Sequence, residues 1–521
     1  MTRYAMIADL NRCVGCQTCT AACKHANATA PGVQWRKVLD FEVGQFPEVS
    51  RAFVPVGCMH CDDPPCLDVC PSTATRKRAD GIVTIDYDIC IGCAYCAVAC
   101  PYQARFRVDS ENAAFGKDSM SHEITSEHWD RRGVAQKCTF CLDRVEPGLA
   151  NGFKPGIDPE ATPVCVNSCI ADALHFGDVE DPESNVSVML AENASFRMHE
   201  ELDTKPRIYY LWESGTEDTA DAGAPPISAS TVGLGSVSPK LQKSWDWRAA
   251  ANFIGGGTGT GLFAASALAS FSVRGMWPAS FIAMFFVAIG LFCVWMEIGR
   301  PLRFMNVLRH AKLSWMTREA FAALPFFGMG LLVLFFPHPV LWVMGAAFGM
   351  VFLYCQGRIL QASKGIPAWR QKGIVPLIMA TGLTEGTGLL AALSALGGFA
   401  ANEVSAGALL VLLIIRFTLW RNYRSALGRA GAPVETFTAL DKGVVNLSLA
   451  SQSVIAALVL IGLFVPFVLF FGGLLALVTG WAFKFTLVTR AAFNQGYAVN
   501  RMPARGDGPS AVGIKPGWTT S

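Results

Sequence analysis

Charged residues are scarce in this sequence of 521 residues. Asp, Glu, Lys and Arg make up 16% of it, hydrophobic residues make up 52%, and the mean hydropathy is +0.34. A soluble domain is usually about 25% charged and about 45–50% apolar. The excess of apolar residues lies after about residue 250, where long apolar runs recur. The composition therefore excludes a wholly soluble protein.

An excess of one charge and an export signal are also missing. The formal net charge is only +2, which gives no electrostatic reason to expect nucleic acid as a partner. The first residues, MTRYAMIADLNRC, contain neither an apolar segment nor twin arginines, so we expect no secretory signal. Without export the thiols stay reduced, and a disulfide framework is not expected.

Cysteine is nearly absent from the apolar half, where we interpret Cys293 and Cys355 as packed thiols. The other sixteen of the eighteen cysteines lie between residues 13 and 169. They form four groups: Cys13-x2-Cys16-x2-Cys19-x3-Cys23; Cys58-x2-Cys61-x4-Cys66-x3-Cys70-Pro71; Cys90-x2-Cys93-x2-Cys96-x3-Cys100-Pro101; and Cys138-x2-Cys141 followed by Cys165-x3-Cys169.

This spacing indicates [4Fe–4S] clusters. A C-x2-C-x2-C loop can hold three corners of an iron–sulfur cube, and in two-cluster ferredoxins the last cysteine of each run ligates the other cluster. Sixteen cysteines at four per cube give four clusters with none left over. The alternatives are disulfides and zinc, but a zinc ribbon uses paired C-x2-C units without the third and fourth cysteines that follow here.

Short segments around the cysteines predict a ferredoxin-like α+β domain. Residues 81–85 read as a short strand, and a short helix is expected after each cysteine loop. Three consecutive basic residues, Arg76, Lys77 and Arg78, form either a solvated turn or a docking surface for a partner.

Residues 1–212 resemble the four-cluster electron-transfer subunit of dimethyl sulfoxide reductase-type molybdopterin oxidoreductases. The resemblance implies four [4Fe–4S] clusters, no [3Fe–4S] cluster, and a catalytic partner chain that carries the molybdopterin, since nothing in this sequence resembles a pterin-binding domain. It also implies four ligand sets: Cys13, Cys16, Cys19 with Cys169; Cys23 with Cys138, Cys141, Cys165; Cys58, Cys61, Cys66 with Cys100; and Cys90, Cys93, Cys96 with Cys70.

Residues 213–244 are rich in Ser, Thr, Ala, Gly and Pro, so we interpret them as a flexible linker. An all-α polytopic membrane domain is expected over 245–492, with a cytoplasmic tail over 493–521. A membrane span needs about 20 mostly apolar residues. Eight transmembrane helices are predicted at about 249–271, 278–298, 319–336, 340–357, 374–398, 405–420, 444–464 and 467–489, with a turn near Pro466 between the last two.

Basic residues in the loops predict the orientation of these spans. Seventeen Lys and Arg residues fall on the side of the cysteine half, and only Arg274 falls on the opposite side. Cytoplasmic loops of membrane proteins carry the excess of Lys and Arg. We therefore expect a multi-pass protein of the inner membrane, with its iron–sulfur domain and both termini in the cytoplasm.

The apolar half resembles the membrane anchor subunit of the same enzymes, which exchanges electrons with quinone. The resemblance rests on the sequence from Trp295 to Arg303, the sequence from Ser314 to Glu319, and Tyr354 with Arg358. Ionisable groups at span ends are candidates for function. The candidates for quinone and proton chemistry are Glu297, Arg300, Arg303, Ser314, Arg318, Glu319 and Arg358.

Each candidate acid has a structural alternative. Glu297 and Glu319 could instead form ion pairs with Arg300, Arg303 or Arg318, and relatives can carry a His where Glu297 stands. Glu385 falls in the middle of a span, where an unpaired charge is costly. We interpret His310 as a loop residue, and the glycines of 255–261 as a helix-packing surface, since no strand or Lys supports a nucleotide loop.

The sequence favours an electron-transfer and quinone-interacting membrane subunit of a molybdopterin oxidoreductase. Orientation and resemblance together favour cytoplasmic sulfite oxidation, as in a membrane sulfite dehydrogenase, with ubiquinone or menaquinone as the electron acceptor. The first alternative keeps this role with dimethyl sulfoxide, another oxyanion or an organic substrate. An alternative of a different class is a membrane transporter with an iron–sulfur sensor domain, although a sensor rarely needs four clusters.

Overall fold

A computed structural model describes residues 2–45, 48–109, 120–121, 128–211, 238–442 and 447–497. The predicted linker lies outside the described residues as far as residue 237, and so does the predicted C-terminal tail from residue 498 onward.

Short strands and short helices alternate in the N-terminal half, which confirms the predicted ferredoxin-like α+β class. The strands are β1 (Tyr4–Asp9), β2 (Arg36–Gln45), β3 (Glu48–Gly57), β4 (Thr75–Lys77), β5 (Val83–Ile85), β6 (Phe106–Arg107), β7 (Ala135–Gln136), β8 (Leu174–Asp178), β9 (Ser195–Phe196) and β10 (Ile208–Leu211). The helices are α1 (Thr18–Ala26), α2 (Pro65–Asp68), α3 (Tyr95–Ala99), α4 (Leu142–Ala150), α5 (Val164–Asn167) and α6 (Asn185–Glu192).

A four-stranded sheet joins the two ends of this half. Its order is β8-β1-β10-β9, with β1 parallel to β10 and antiparallel to β8. Strand β1 reads YAMIAD, and its first five side chains are buried, as expected for a strand covered on both faces. Because β1 ends shortly before Cys13 and β8 begins shortly after Cys169, their pairing brings the first and last cysteines together.

The strand predicted at 81–85 is β5, which pairs with β4 in a small hairpin. This hairpin carries the basic triplet. Arg76 forms an ion pair with Asp86, Lys77 with Asp62, and Arg78 with both Asp80 and Glu146. These carboxylates belong to the same half of the chain, which favours a surface turn over a docking surface.

Helices dominate the C-terminal half. They are α7 (Trp247–Ala269), α8 (Trp277–Glu297), α9 (Trp315–Phe335), α10 (Pro339–Gln361), α11 (Pro367–Arg370), α12 (Ile374–Ala395), α13 (Asn402–Arg429), α14 (Val434–Leu440), α15 (Leu449–Gly462) and α16 (Pro466–Thr489). A 3-10 segment, Pro301–Arg309, follows α8.

Six of these helices are long and apolar enough to cross a membrane, which indicates a multi-pass membrane region: α8, α9, α10, α12, α13 and α16. The prediction of eight such spans is not confirmed. Among the described residues α15 has only 14 residues, too few to span about 30 Å of hydrocarbon at 1.5 Å per residue. Helix α7 has 23 residues, but its glycines, threonines and serine make it less apolar. The turn predicted near Pro466 is confirmed, because α16 begins at that proline.

The glycine-rich segment 255–261 lies within α7 and packs against neighbouring helices, which confirms the packing interpretation. A Cβ at Gly259 would lie 2.4 Å from the carbonyl oxygen of Ala283 in α8, and one at Gly261 would lie 2.1 Å from that of Gly382 in α12. Only glycine allows such close backbone approach, as at small-residue interfaces between membrane helices.

Three glycines join the two halves of the chain. Gly299, just after α8, donates its N–H to the carbonyl of Gly92 at 3.2 Å, and a Cβ at Gly92 would lie 1.9 Å from the carbonyl oxygen of Gly133. A Cβ at Gly133 would in turn lie 2.4 Å from the Gly299 carbonyl oxygen. Gly92 and Gly133 have φ values of 70° and 61°, which L side chains rarely adopt.

Gly133→Ala is therefore expected to loosen this contact and to lower the temperature of thermal unfolding in detergent. Overpacking of this kind typically costs about 1–3 kcal/mol, and the left-handed φ adds strain. Gly152→Ala is the matched control, since Gly152 has a φ of 82° but nothing within 4 Å of its Cβ position. Equal destabilisation by the two variants would mean that the contact with Gly299 contributes nothing.

Candidate functional site

The cysteine loops turn sharply and then enter helices. In the first group Gly15 and Gln17 have left-handed φ values of 71° and 63°, and in the third group Gly92 and Ala94 repeat this with 70° and 56°. Helix α1 begins at Thr18 and α3 begins at Tyr95, so one cysteine of each loop lies in the first helical turn. The repeated backbone pattern indicates that the two loops bind the same kind of ligand.

Two sets of four cysteines each line a cavity. The first set, site 1, contains Cys13, Cys16, Cys19 and Cys169, which meet because β1 pairs with β8. The second set, site 2, contains Cys23, Cys138, Cys141 and Cys165, which meet where α1 packs against α5.

Two further sets are grouped by the electrostatic interactions among their thiols. Site 3 contains Cys58, Cys61, Cys66 and Cys100, since Cys61 interacts with the other three. Site 4 contains Cys70, Cys90, Cys93 and Cys96, since Cys93 interacts with the other three.

Electrostatic interactions between thiols connect the four sites in one order. Thiols of neighbouring sites interact through the pairs Cys19 with Cys165, Cys138 with Cys58, and Cys66 with Cys96. These pairs link site 1 to site 2, site 2 to site 3, and site 3 to site 4. The order in space therefore differs from the order of the groups in the sequence.

The chemistry of these sites fits iron–sulfur clusters. All cysteines lie in the described part of the chain, and none forms a disulfide. Backbone N–H groups point at their sulfurs, as from Ala173 to Cys169 Sγ at 3.2 Å and from Phe140 to Cys138 Sγ at 3.4 Å. Burial raises the pKa of the Cys66 and Cys138 thiols to about 11, so a thiolate at these positions needs nearby positive charge, which bound iron would supply.

A single metal ion fits these cysteines less well. Among the described residues, no three His, Cys, Asp or Glu side chains converge as a single ion requires. The cysteines of sites 1 and 2 instead stand around cavities. A cluster of several atoms spaces its ligands further apart than the tetrahedral zinc ion does.

Site 4 opens toward a pocket at the junction with the membrane helices. Cys93 lines this pocket together with Trp245, Asn252, Glu297 and Glu319. The Trp245 indole Nε1–H donates to the Cys93 carbonyl at 3.0 Å, and its ring stacks on Trp369 at 5.5 Å between centroids. The remaining wall is apolar: Ala249, Phe253, Val294, Ile298, Met316 and Ile359. We call this the junction pocket.

Of the seven residues predicted for quinone and proton chemistry, Glu297 and Glu319 lie in the junction pocket. The Glu297 carboxylate accepts from the backbone N–H of Asp246 at 3.1 Å, and the Glu319 carboxylate accepts from Asn252 Nδ2 at 3.2 Å. Neither acid forms an ion pair with any described residue, so the predicted alternative of pairing with Arg300, Arg303 or Arg318 is wrong for the described part of the chain.

The other predicted residues lie outside the junction pocket lining. Arg303 donates to the Tyr87 and Cys90 carbonyls, and Ser314 donates to the Val69 carbonyl at 2.9 Å, so both dock the cysteine half onto the membrane half. Arg300 also docks the two halves, since its Nε donates to the Arg132 carbonyl at 2.9 Å.

Trp315 lies between the last two predicted residues. Arg318 lies 4.2 Å and Arg358 lies 4.4 Å from the centroid of its ring. His310, interpreted as a loop residue, follows the 3-10 segment, and its Nδ1 lies 2.8 Å from the Cys70 carbonyl oxygen.

Sequence reasoning missed the partner of Glu385. Lys484 of α16 donates to the Glu385 carboxylate at 2.8 Å, and both side chains are fully buried. Thr258 donates to the same carboxylate oxygen at 3.1 Å. A Cβ at Gly257 would lie 1.9 Å from Lys484 Nζ, so the glycines of α7 also make room for this pair. The spacing of 99 residues between the two charges gives no local sequence signal.

Comparison with known proteins supports this description of the cysteine half. A family model for a 4Fe-4S dicluster domain matches residues 49–124. A selenate reductase subunit of Mesobacillus selenatarsenatis is 40% identical over 225 residues, which cover 40% of this chain and 72% of that protein. The chain belongs to this family of iron–sulfur subunits. A sulfite dehydrogenase subunit of Allochromatium vinosum is 36% identical, over 40% of this chain and 83% of that protein.

Another relative of this iron–sulfur protein is the putative dimethyl sulfoxide reductase iron-sulfur subunit of Halobacterium salinarum, which is 40% identical over 40% of this chain and 79% of that protein. The shared region is about as long as the cysteine half. The iron–sulfur protein described here therefore carries, in one chain, a membrane-spanning region that these alignments do not account for.

Proposed function

We propose that the chain is the electron-transfer and quinone-interacting membrane subunit of a molybdopterin oxidoreductase, and that it passes electrons from cytoplasmic sulfite oxidation to quinone. The observation that carries this proposal is the junction pocket. There Cys93 of site 4, the last in the order of cysteine sites, shares a wall with Glu297 and Glu319. An electron-transfer site and two acids therefore meet at the start of the membrane helices.

In this proposal sites 1 to 4 each hold one [4Fe–4S] cluster, with the four cysteines of each site as ligands. Each cluster, when bound, would accept and pass on one electron at a time. The chain contributes their order, their burial and the N–H groups that point at the sulfurs. The buried Trp245, which donates to the Cys93 carbonyl, forms part of the wall that site 4 shares with the junction pocket.

Glu297 and Glu319 are proposed to exchange protons with the quinone. Reduction of a quinone to a quinol takes two electrons and two protons, and sulfite with one water gives sulfate, two electrons and two protons, so the coupled reaction balances. Positioned carboxylates serve as general acids and bases in such steps. Asp246 N–H and Asn252 Nδ2 orient these two side chains within the junction pocket.

The orientation of the protein is part of the proposal. Arg300 and Arg303, which belong to the basic loops, bond to the cysteine half, so the basic loops and the cysteine half share one side of the membrane helices. The excess of Lys and Arg on that side supports a cytoplasmic location. Leu241 before α7 pairs with Phe493 after α16, as an even number of crossings requires.

A second substrate class has support in the names of the relatives, which include selenate and dimethyl sulfoxide reductases. In that case electrons would run from quinol to the partner protein.

Assays of the anaerobically purified membrane complex distinguish these functions. We expect about sixteen irons per chain, four reducible EPR signals, and reduction of quinone on addition of sulfite. Zinc in place of iron would contradict the proposed function. Quinol oxidation by dimethyl sulfoxide without any sulfite activity would contradict sulfite as the substrate.

Glu319→Gln is expected to slow quinone reduction by about 10²–10⁴-fold, the usual contribution of a positioned proton-transfer group. The EPR signals of the clusters should not change, because the amide keeps the hydrogen bond from Asn252. Steady-state quinone reduction and reduction of an artificial dye measure the two steps separately. Glu403→Gln, at the exposed start of α13, is the control, and an equal loss in both variants would exclude a local role for Glu319.

A further inference from the structure

Three cations in the cysteine half are buried without a carboxylate partner among the described residues: Arg36, Arg105 and Lys137. They are 1%, 6% and 1% exposed, respectively. Two nitrogens of Arg36, Nε and Nη1, have no hydrogen-bond partner at all in the described structure. Burial of an unpaired charge costs several kcal/mol, so each cation requires a source of negative charge close by.

Arg36 lies between sites 1 and 2. It lines the site 2 cavity with Cys138 and Cys165, and it also interacts electrostatically with Cys19 of site 1. Its Nη2 contacts Met6 Sδ of β1 at 2.8 Å, which fixes the guanidinium next to the sheet that brings site 1 together.

Lys137 lies between sites 2 and 3. Its Nζ donates to the carbonyl of Cys138, a site 2 residue, at 2.7 Å, and also to the Val83 carbonyl. Its charge interacts with Cys58 and Cys66 of site 3.

Arg105 lies between sites 3 and 4. Its Nη2 donates to Cys66 Sγ of site 3 at 2.9 Å, and the guanidinium also interacts electrostatically with the thiol of Cys96 in site 4. Thr75 Oγ1 accepts from its Nη1 at 3.0 Å and holds the planar group in place.

We propose that Arg36, Lys137 and Arg105 are electrostatic links, one in each gap between consecutive clusters, which raise the reduction potentials of the two clusters on either side. This inference rests on the proposed function, since it requires clusters in all four sites. A reduced cluster carries one more negative charge than an oxidised one, and a buried cation therefore stabilises the reduced form. Each link acts on a pair of sites, so that neighbouring potentials are raised together.

The test is potentiometric EPR of the purified, dithionite-reducible membrane complex, which requires no turnover. Arg36→Gln is expected to shift two of the four midpoint potentials downward, and Arg105→Gln the other two. Lys137→Gln should shift two signals as well, one from each of those pairs. The signals shifted by Lys137→Gln therefore overlap with those shifted by each arginine variant. This pattern identifies the three links even when no EPR signal has been assigned to a site.

Charge and geometry are separated by further variants. Arg36→Lys and Arg105→Lys keep the charge and should leave the potentials near those of the wild type. If the Gln variants lose iron while the Lys variants retain it, the cations are needed even to load the sites, which also supports the proposal. If the Lys variants shift or lose iron as the Gln variants do, the cause is not charge and the proposal is overturned.

Arg12→Gln is the matched control for removal of a positive charge beside a cysteine. Arg12 adjoins Cys13 in the sequence, but its side chain is 52% exposed and pairs with Asp172. Solvent screens such a charge, so no potential should move. Shifts of single signals, or of all four signals equally, would overturn the inference. A wild-type complex without four cluster signals would instead overturn the proposed function.

Discussion

Cys93→Ala is expected to abolish electron transfer to quinone while electron uptake by the other sites continues. Cys93 is the one cysteine that both belongs to site 4 and lines the junction pocket. Its loss removes a ligand from the last site, on the wall of the junction pocket that also holds the two acids. Iron content should fall below about sixteen per chain, because the last site loses one of its four ligands.

Three measurements on the same preparation check this expectation. Iron analysis counts the clusters, reduction of an artificial dye measures electron uptake, and quinone reduction measures the complete path. Cys293→Ala is the matched control, since Cys293 is a buried cysteine of α8 that belongs to none of the four sites. Normal quinone reduction by Cys93→Ala would mean that electrons leave the chain elsewhere than at the junction pocket.

Much of the cysteine half was predictable because cluster ligands follow local spacing rules. The C-x2-C-x2-C loops and the prolines after Cys70 and Cys100 indicate clusters directly from the sequence. The assignment of Cys169 to the site of Cys13 rests on family resemblance, and in the structure both cysteines line one cavity. Its physical cause, the pairing of β1 with β8, joins residues about 170 apart, and no local pattern reports such a contact.

The junction pocket was only half predictable. Glu297 and Glu319 stand out as acids at span ends, and this makes them visible in the sequence. Cys93 comes to the pocket through the docking of the two halves, at the close approach of Gly92, Gly133 and Gly299. Trp245, just before α7, and Asn252, within it, carry no ionisable group that would mark them in the sequence. The sequence alone does not distinguish a basic residue of the quinone site from one that docks the two halves, as Arg303 does here.

The sequence predicted the positions of the helices in the membrane half, but not how many of them are long and apolar enough to cross a membrane. Apolar runs locate the helices well, since each predicted span overlaps a helix of the structure. Hydropathy does not show that α7 is a packing helix whose Gly and Thr residues face other helices. Nor can it pair Glu385 with Lys484, because both charges are hidden within apolar runs.

Lys484→Met is expected to destabilise the membrane half by about 3–5 kcal/mol, because it leaves the Glu385 carboxylate buried without its cation. Within the described structure the remaining polar contact of that carboxylate is the Thr258 hydroxyl, and its second oxygen has no hydrogen-bond partner. Arg416 also acts on Glu385 electrostatically, but its guanidinium is committed to Gln452 and Thr479. Thermal unfolding in detergent should show the loss as a lower midpoint.

The double variant Glu385→Gln/Lys484→Met separates the cost of an uncompensated charge from that of lost packing. It removes both charges while it retains most of the side-chain volume, so it should recover most of the lost stability, as replacement of a buried ion pair by neutral groups often does. Arg274→Gln, in the exposed loop between α7 and α8, should leave the midpoint within about 0.5 kcal/mol of the wild type. If the double variant is no more stable than Lys484→Met alone, the loss comes from packing around the lysine stem, and charge compensation is not what holds α12 against α16.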